Sequence, residues 1–181
     1  MLARMILRAL FLPLALLLAV APAAAQGHAH QHGLARLDIA VEPGRLTLTL
    51  DAPQEALVGH ERLPRTAAER QAADALLARL RDGQRLWALP AALQCRLAEL
   101  RLEAPLLEPA AKAAAAAEHA DVEAEWRFDC AGPLAGLRQL DLGPLLDALP
   151  RLRQLNAQIV DARGQHQATL KRPARQLAWG R

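Results

Sequence analysis

The sequence of 181 residues has no tyrosine, two phenylalanines and three tryptophans, so it offers few rings on which nucleobases could stack. Its arginines are scattered rather than massed beside those rings, and nucleic acid is excluded as a partner. Long apolar runs are equally scarce. The one candidate, 6–20, is interrupted by Arg8 and Pro13 and falls short of the roughly 20 residues that a membrane span needs. Catalytic signatures are missing too: there is no G-x-S-x-G elbow, no phosphate-binding loop and no G-x-G-x-x-G run. His60-Glu61 starts like the H-E-x-x-H metalloprotease motif, but Pro64 stands where the second histidine belongs, and a proline there could not lie mid-helix. The expectation is a protein that is not an enzyme.

Sulfur is sparse. Met1 and Met5 are the only methionines, and both fall in 1–25, which reads as a signal peptide. Arg4 and Arg8 give its basic start, the apolar run follows, and Ala23-Ala24-Ala25 offers the cleavage site. Cleavage after Ala25 would begin the mature chain at Gln26, remove the soft thioether ligands and leave no stable membrane insertion. No cysteine stands near that site to carry a lipid. The leader holds two of the 22 Lys plus Arg and none of the 19 Asp plus Glu, so the mature chain has 20 basic against 19 acidic residues and is close to neutral. With 25 residues removed from 181, the remaining 156 fit one domain by length. Two cysteines without CxxC spacing, in an exported chain, favour one structural disulfide between Cys95 and Cys130 over a thiolate metal site, two reduced core thiols being the alternative.

What the chain does have, just past the leader, is histidine. His28, His30 and His32 are half of its six, spaced two apart within Gly27-His28-Ala29-His30-Gln31-His32-Gly33. In extended chain that spacing puts three rings on one face, where their nitrogens could reach one metal ion. The bland alternative is a solvated terminus or the remnant of a tag.

Alternation then predicts a hairpin over 34–41 and 45–50, with Leu37, Ile39 and Val41 on one face of the first strand and Leu46, Leu48 and Leu50 on one face of the second. Pro43-Gly44 fits a type II turn between them. A short return strand is expected over 56–60. Thr66-Ala67-Ala68-Glu69 reads as a capping box opening a helix to about Asp82, apolar at Ala73, Leu76, Leu77 and Leu80 and stopped by Gly83. Strands are expected over 85–89 and over 93–103 with a bulge near Ala98 and Glu99, then an inert alanine-rich linker over 110–117. The most regular strand is 121–130, with Val122, Ala124, Trp126, Phe128 and Cys130 facing the core. His119, Asp121 and Glu123 would lie in a row on its other face. A strand over 137–142, a helical turn over 144–149, a hairpin of 152–161 with 165–171 and a tail over 173–181 complete the chain, His166 standing exposed beside the last turn. The fold class is α+β: a mainly antiparallel sheet, one longer covering helix, a short second helix and one disulfide.

These residues together resemble a known family. His30-Gln31-His32-Gly33-Leu34-Ala35 leading into the hairpin, Leu57-Val58-Gly59-His60-Glu61 with Pro64-Arg65-Thr66, and His119-Ala120-Asp121 with Trp126-Arg127-Phe128-Asp129-Cys130 are similar to the ZrgA-like family of bacterial periplasmic zinc-binding proteins. The resemblance spans nearly all of the mature chain. It implies a non-catalytic periplasmic protein that binds zinc and assists zinc acquisition with an ABC-type importer. It divides the chain into a signal peptide (1–25), a His-rich segment (26–33) and a single α+β zinc-binding domain (34–181). Carried over residue by residue, it implies zinc binding by His32, His119 and Asp121 first, His60 next, and His28 and His30 as auxiliaries. Two departures stand out: Arg62 replaces a histidine usual after the Glu of the central motif, and the linker lacks the family's His- and acid-rich insertion. The rival readings are an envelope adaptor or structural domain with incidental histidines, and a zinc hydrolase with Glu61 or Glu123 as base.

Overall fold

The computed structural model describes residues 33–107 and 121–180. The alternating segments form strands β1 (Leu34–Glu42), β2 (Arg45–Pro53), β3 (Cys95–Glu103), β4 (Asp121–Cys130), β6 (Gln154–Asp161) and β7 (Gly164–Lys171), which join in one six-stranded sheet of order β3-β4-β2-β1-β6-β7. The pairs are antiparallel except β1 with β6, which run parallel. Two short strands, β5 (Gln139–Asp141) and β8 (Gln176–Ala178), form a second antiparallel sheet. The architecture is α+β with a mostly antiparallel sheet, as the alternation predicts.

Period-two patterning decides which face is buried. Leu37 and Ile39 of β1, Leu46, Leu48 and Leu50 of β2, and Val122, Ala124, Trp126 and Phe128 of β4 all point into one core. The other face carries Arg36, Asp51, Asp121, Glu123 and Asp129, all exposed. Helices α1 (Gln54–Val58), α2 (Ala67–Arg81), α3 (Gly83–Trp87) and α4 (Gly143–Ala148) contribute Leu57, Leu76, Leu77, Leu80, Leu86, Trp87, Leu145 and Leu146 to the same core. At its centre Trp126 donates its indole N–H to the carbonyl of Leu80 at 2.8 Å, and its ring meets Trp87 edge to face, centroids 5.2 Å apart. Among the described residues no helix is long and apolar enough to cross a membrane.

The turn at Gly44 has φ +74, and the capping box is complete: Thr66 accepts from the Glu69 N–H while Glu69 accepts from the Thr66 N–H. The bulge falls between Leu97 and Glu99, and Cys95 and Cys130, opposed in register, are joined by a disulfide. Other expectations need correction. The run at 56–60 is not a strand: Pro53 starts a five-residue helix, α1, and Gly59 ends it with φ +90, its N–H bonded to the Glu55 carbonyl at 2.8 Å. A short apolar run carries no period, and the flanking Pro and Gly were the deciding signal. The run at 85–89 is not a strand either: 85–87 belong to α3, which Asp82 caps through the Arg85 N–H and which ends at Ala88 in the left-handed region. Gly83 does not merely stop α2; it opens α3 against Trp126, whose ring lies 2.4 Å from where a Cβ would stand. The expected tail contains a strand: β8 pairs with β5, and Leu177 and Trp179 are buried. The alanine-rich linker lies outside the described residues.

Candidate metal site

The end of the sheet where β1 begins collects the segments that matter. Leu34, first residue of β1, pairs with Gln154, first of β6; Asp121, first of β4, pairs with Pro53, last of β2. Asp121 is exposed on the open face, and Glu123, two residues on, lies opposite both Asp51 and Glu103. His28, His30, His32 and His119 lie outside the described residues. Among the described residues no group of three or more His, Cys, Asp or Glu could hold a metal ion.

His60 is held where α1 leads away from β2. Gly59 makes the turn into it, with the Arg151 guanidinium packed so closely that a Cβ on Gly59 would come within 2.7 Å of it. The His60 ring is half-buried, its Nδ1 3.0 Å from the Arg62 carbonyl oxygen. Gln54, one residue past β2, donates its side-chain amide to the carbonyls of His60 and Arg62, both at 2.9 Å. Gln54 is 1% exposed, and among the described residues its Oε1 has no hydrogen-bond partner. An orphaned buried acceptor costs about 1–3 kcal/mol. Sequence reasoning passed over Gln54, although a polar residue in phase with Leu48, Leu50 and Ala52 was its signal.

Arg62, standing where the resemblance leads one to expect a histidine, is a clamp. Its guanidinium forms a two-pronged ion pair with Glu69 at 2.7 and 3.0 Å, tying the His60 loop to the first turn of α2. The same carboxylate accepts the backbone N–H of Arg65 at 2.6 Å and of Thr66 at 3.2 Å. Arg62, then the Arg65 N–H, hold the Glu69 carboxyl well below the ordinary carboxylate range, against the opposing pull of desolvation. Beside this loop a cavity of about 310 Å³ is lined by Gly33, Glu55, Ala56, Pro150, Arg151 and Arg153.

His166 is not exposed as expected but half-buried, its Nε2 3.2 Å from Asp161. Asp161 also accepts from Arg163 and from the Trp179 indole N–H, which makes it a structural hub far from the His60 loop in sequence. Arg163 above all keeps its carboxyl well below the usual range.

No curated protein matches the chain. A family model described as ZrgA family zinc uptake protein matches residues 29–179, from within the His-rich segment to the end of β8 and one residue beyond. That span takes in every strand and α-helix of the described residues. The chain belongs to the ZrgA family of zinc uptake proteins.

Proposed function

We propose that this protein is exported to the periplasm, the 1–25 leader being removed, and there captures zinc without catalysis and works beside an ABC-type importer in zinc acquisition. His32, His60, His119 and Asp121 are the proposed ligands, with His28 and His30 as auxiliaries, and 34–181 as the zinc-binding domain. Neutral imidazoles and a carboxylate suit tetrahedral Zn(II), although the same donors accept Ni(II) or Cu(II). Because protons compete for the ring nitrogens, affinity falls as the pH is lowered.

One observation carries the reading: the register of β1, β2 and β4 brings three separate parts of the sequence to one end of the sheet. Arg36 pairs with Asp51, so continuing that register sets Leu34 beside Pro53, and Pro53 pairs with Asp121. β1 and β4 flank β2, about 10 Å apart at two strand spacings. His32 precedes Gly33, His119 precedes Asp121 by two residues, and His60 is joined to Gln54 next to Pro53. At about 3.5 Å per residue, one or two residues and an imidazole on each side can cover that separation.

The family is one of zinc uptake proteins, which supports the non-catalytic reading. The test is calorimetric titration of zinc into the mature chain and into the double variant His32→Ala, His119→Ala. Loss of roughly tenfold or more in affinity is expected when two of four ligands go. An unchanged isotherm would remove the site.

A further inference from the structure

We propose that Gln54 is a positioning residue that fixes which nitrogen of His60 is available to metal. The inference rests on the reading that His60 is a ligand. Counting donors and acceptors around the loop decides the assignment. The Gln54 amide nitrogen has two hydrogens and lies 2.9 Å from two carbonyl oxygens, those of His60 and Arg62. Carbonyl oxygens only accept, so the group facing them is the NH2, and the reversed amide would set oxygen against oxygen.

His60 Nδ1 stands 3.0 Å from the same Arg62 carbonyl and must therefore carry a hydrogen, since two lone pairs facing each other would repel. Both lone pairs of the Arg62 oxygen are then used, one by Gln54 and one by His60. The 3.4 Å approach of the Gln54 nitrogen to Nδ1 is a contact between two donors, not a bond. In the neutral ring, a hydrogen on Nδ1 leaves Nε2 as the one nitrogen with a free lone pair, the atom a metal would take.

A backbone carbonyl bonded to the far nitrogen is the usual way a ligating histidine is oriented. Here the carbonyl itself sits in a loop, and Gln54 holds it from both ends of the 60–62 segment. Gln54 is 1% exposed, and among the described residues its Oε1 has no hydrogen-bond partner, so the two donors are what its amide contributes here. An apolar residue would continue the strand's pattern of Leu48, Leu50 and Ala52 into the core. What the glutamine supplies that such a residue cannot is the pair of donors that aims the Arg62 carbonyl at Nδ1.

The experiment is multiple-bond 15N NMR on metal-free protein, with the ring neutral, for the wild type and Gln54→Met, alongside zinc titrations of both and of His60→Ala. The wild type is expected to hold His60 in the Nδ1–H form. In Gln54→Met the ring should divide between both tautomers and zinc affinity should fall by about 10- to 100-fold, the usual effect of losing such a support. A wild-type ring found in the Nε2–H form overturns the inference even if the variant fails to fold. So does a variant that keeps both the tautomer and the affinity. A purely structural glutamine would alter melting without moving the tautomer, which also overturns it. If His60→Ala leaves zinc affinity unchanged, the ligand reading fails instead, and the metal-free tautomer tells the two failures apart.

Discussion

Replacing Gly59 by alanine tests how the His60 loop is aimed. Gly59 closes α1 at φ +90 and ψ 11, with its N–H bonded to the Glu55 carbonyl at 2.8 Å, and the next residue is His60. A side chain in the left-handed region costs roughly 1–2 kcal/mol. The new Cβ would also meet the Arg151 guanidinium at 2.7 Å, but that is the far end of a flexible chain and can swing aside. The backbone term should therefore dominate. In a chain of this length that loss lowers the melting temperature by about 2–8 °C. Thermal denaturation followed by circular dichroism reads it directly, and the Arg151→Ala background separates the two terms. If strain in φ is the cause, the penalty persists there to within about 0.5 kcal/mol. A Gly59→Ala protein that melts with the wild type, or a penalty abolished by Arg151→Ala, would refute the reasoning.

The other predictions concern the frame around the site. Replacing both Cys95 and Cys130 by alanine frees a loop spanning a sequence separation of 35 and should cost about 4 kcal/mol, seen as a melting point lower by roughly 8–16 °C. Trp126→Phe strands the Leu80 carbonyl in the core, and a urea titration should register a loss of at least about 1–3 kcal/mol. For acid, the Glu69 and Asp161 carboxyls are held below their unfolded values. Their contribution is full above the ordinary carboxylate pKa and fades as pH falls through the lowered one. Urea midpoints should thus drop as the pH is taken below about 4, and less so in Glu69→Gln, which keeps the Asp161 carboxyl but has nothing to protonate at position 69.

Much of this fold was legible because alternation fixes faces. The strands β1, β2 and β4, the bulge in β3, the capping box of α2 and the disulfide follow from period two, from turn residues and from cysteine economy. What alternation cannot give is which strands become neighbours. The parallel pairing of β1 with β6 and the antiparallel pairing of β5 with β8 join parts of the chain far apart in sequence. The two five-residue helices α1 and α3 escaped because so short an apolar run has no period of its own. In the candidate site, the histidines announce themselves by type and spacing. Their supports do not: Gln54 is a polar residue in a core phase, and Arg62 becomes a clamp only because α2 offers Glu69 to it.

Arg62 also sharpens what the family membership means for this chain. Where a second histidine is expected after Glu61, the guanidinium is occupied with Glu69 and a cation cannot ligate zinc. On the proposed function the loop thus has one zinc donor, His60, at this motif, and a single site is the expectation.

Zinc stoichiometry tests the proposed site most directly. The mature protein, stripped of metal and equilibrated with limiting zinc, should retain one ion per chain by elemental analysis, and His60→Ala should lose it or hold it much more weakly. Mature protein that retains no zinc, or a His60→Ala variant that retains it as the wild type does, would contradict the claim that this end of the sheet is a zinc site.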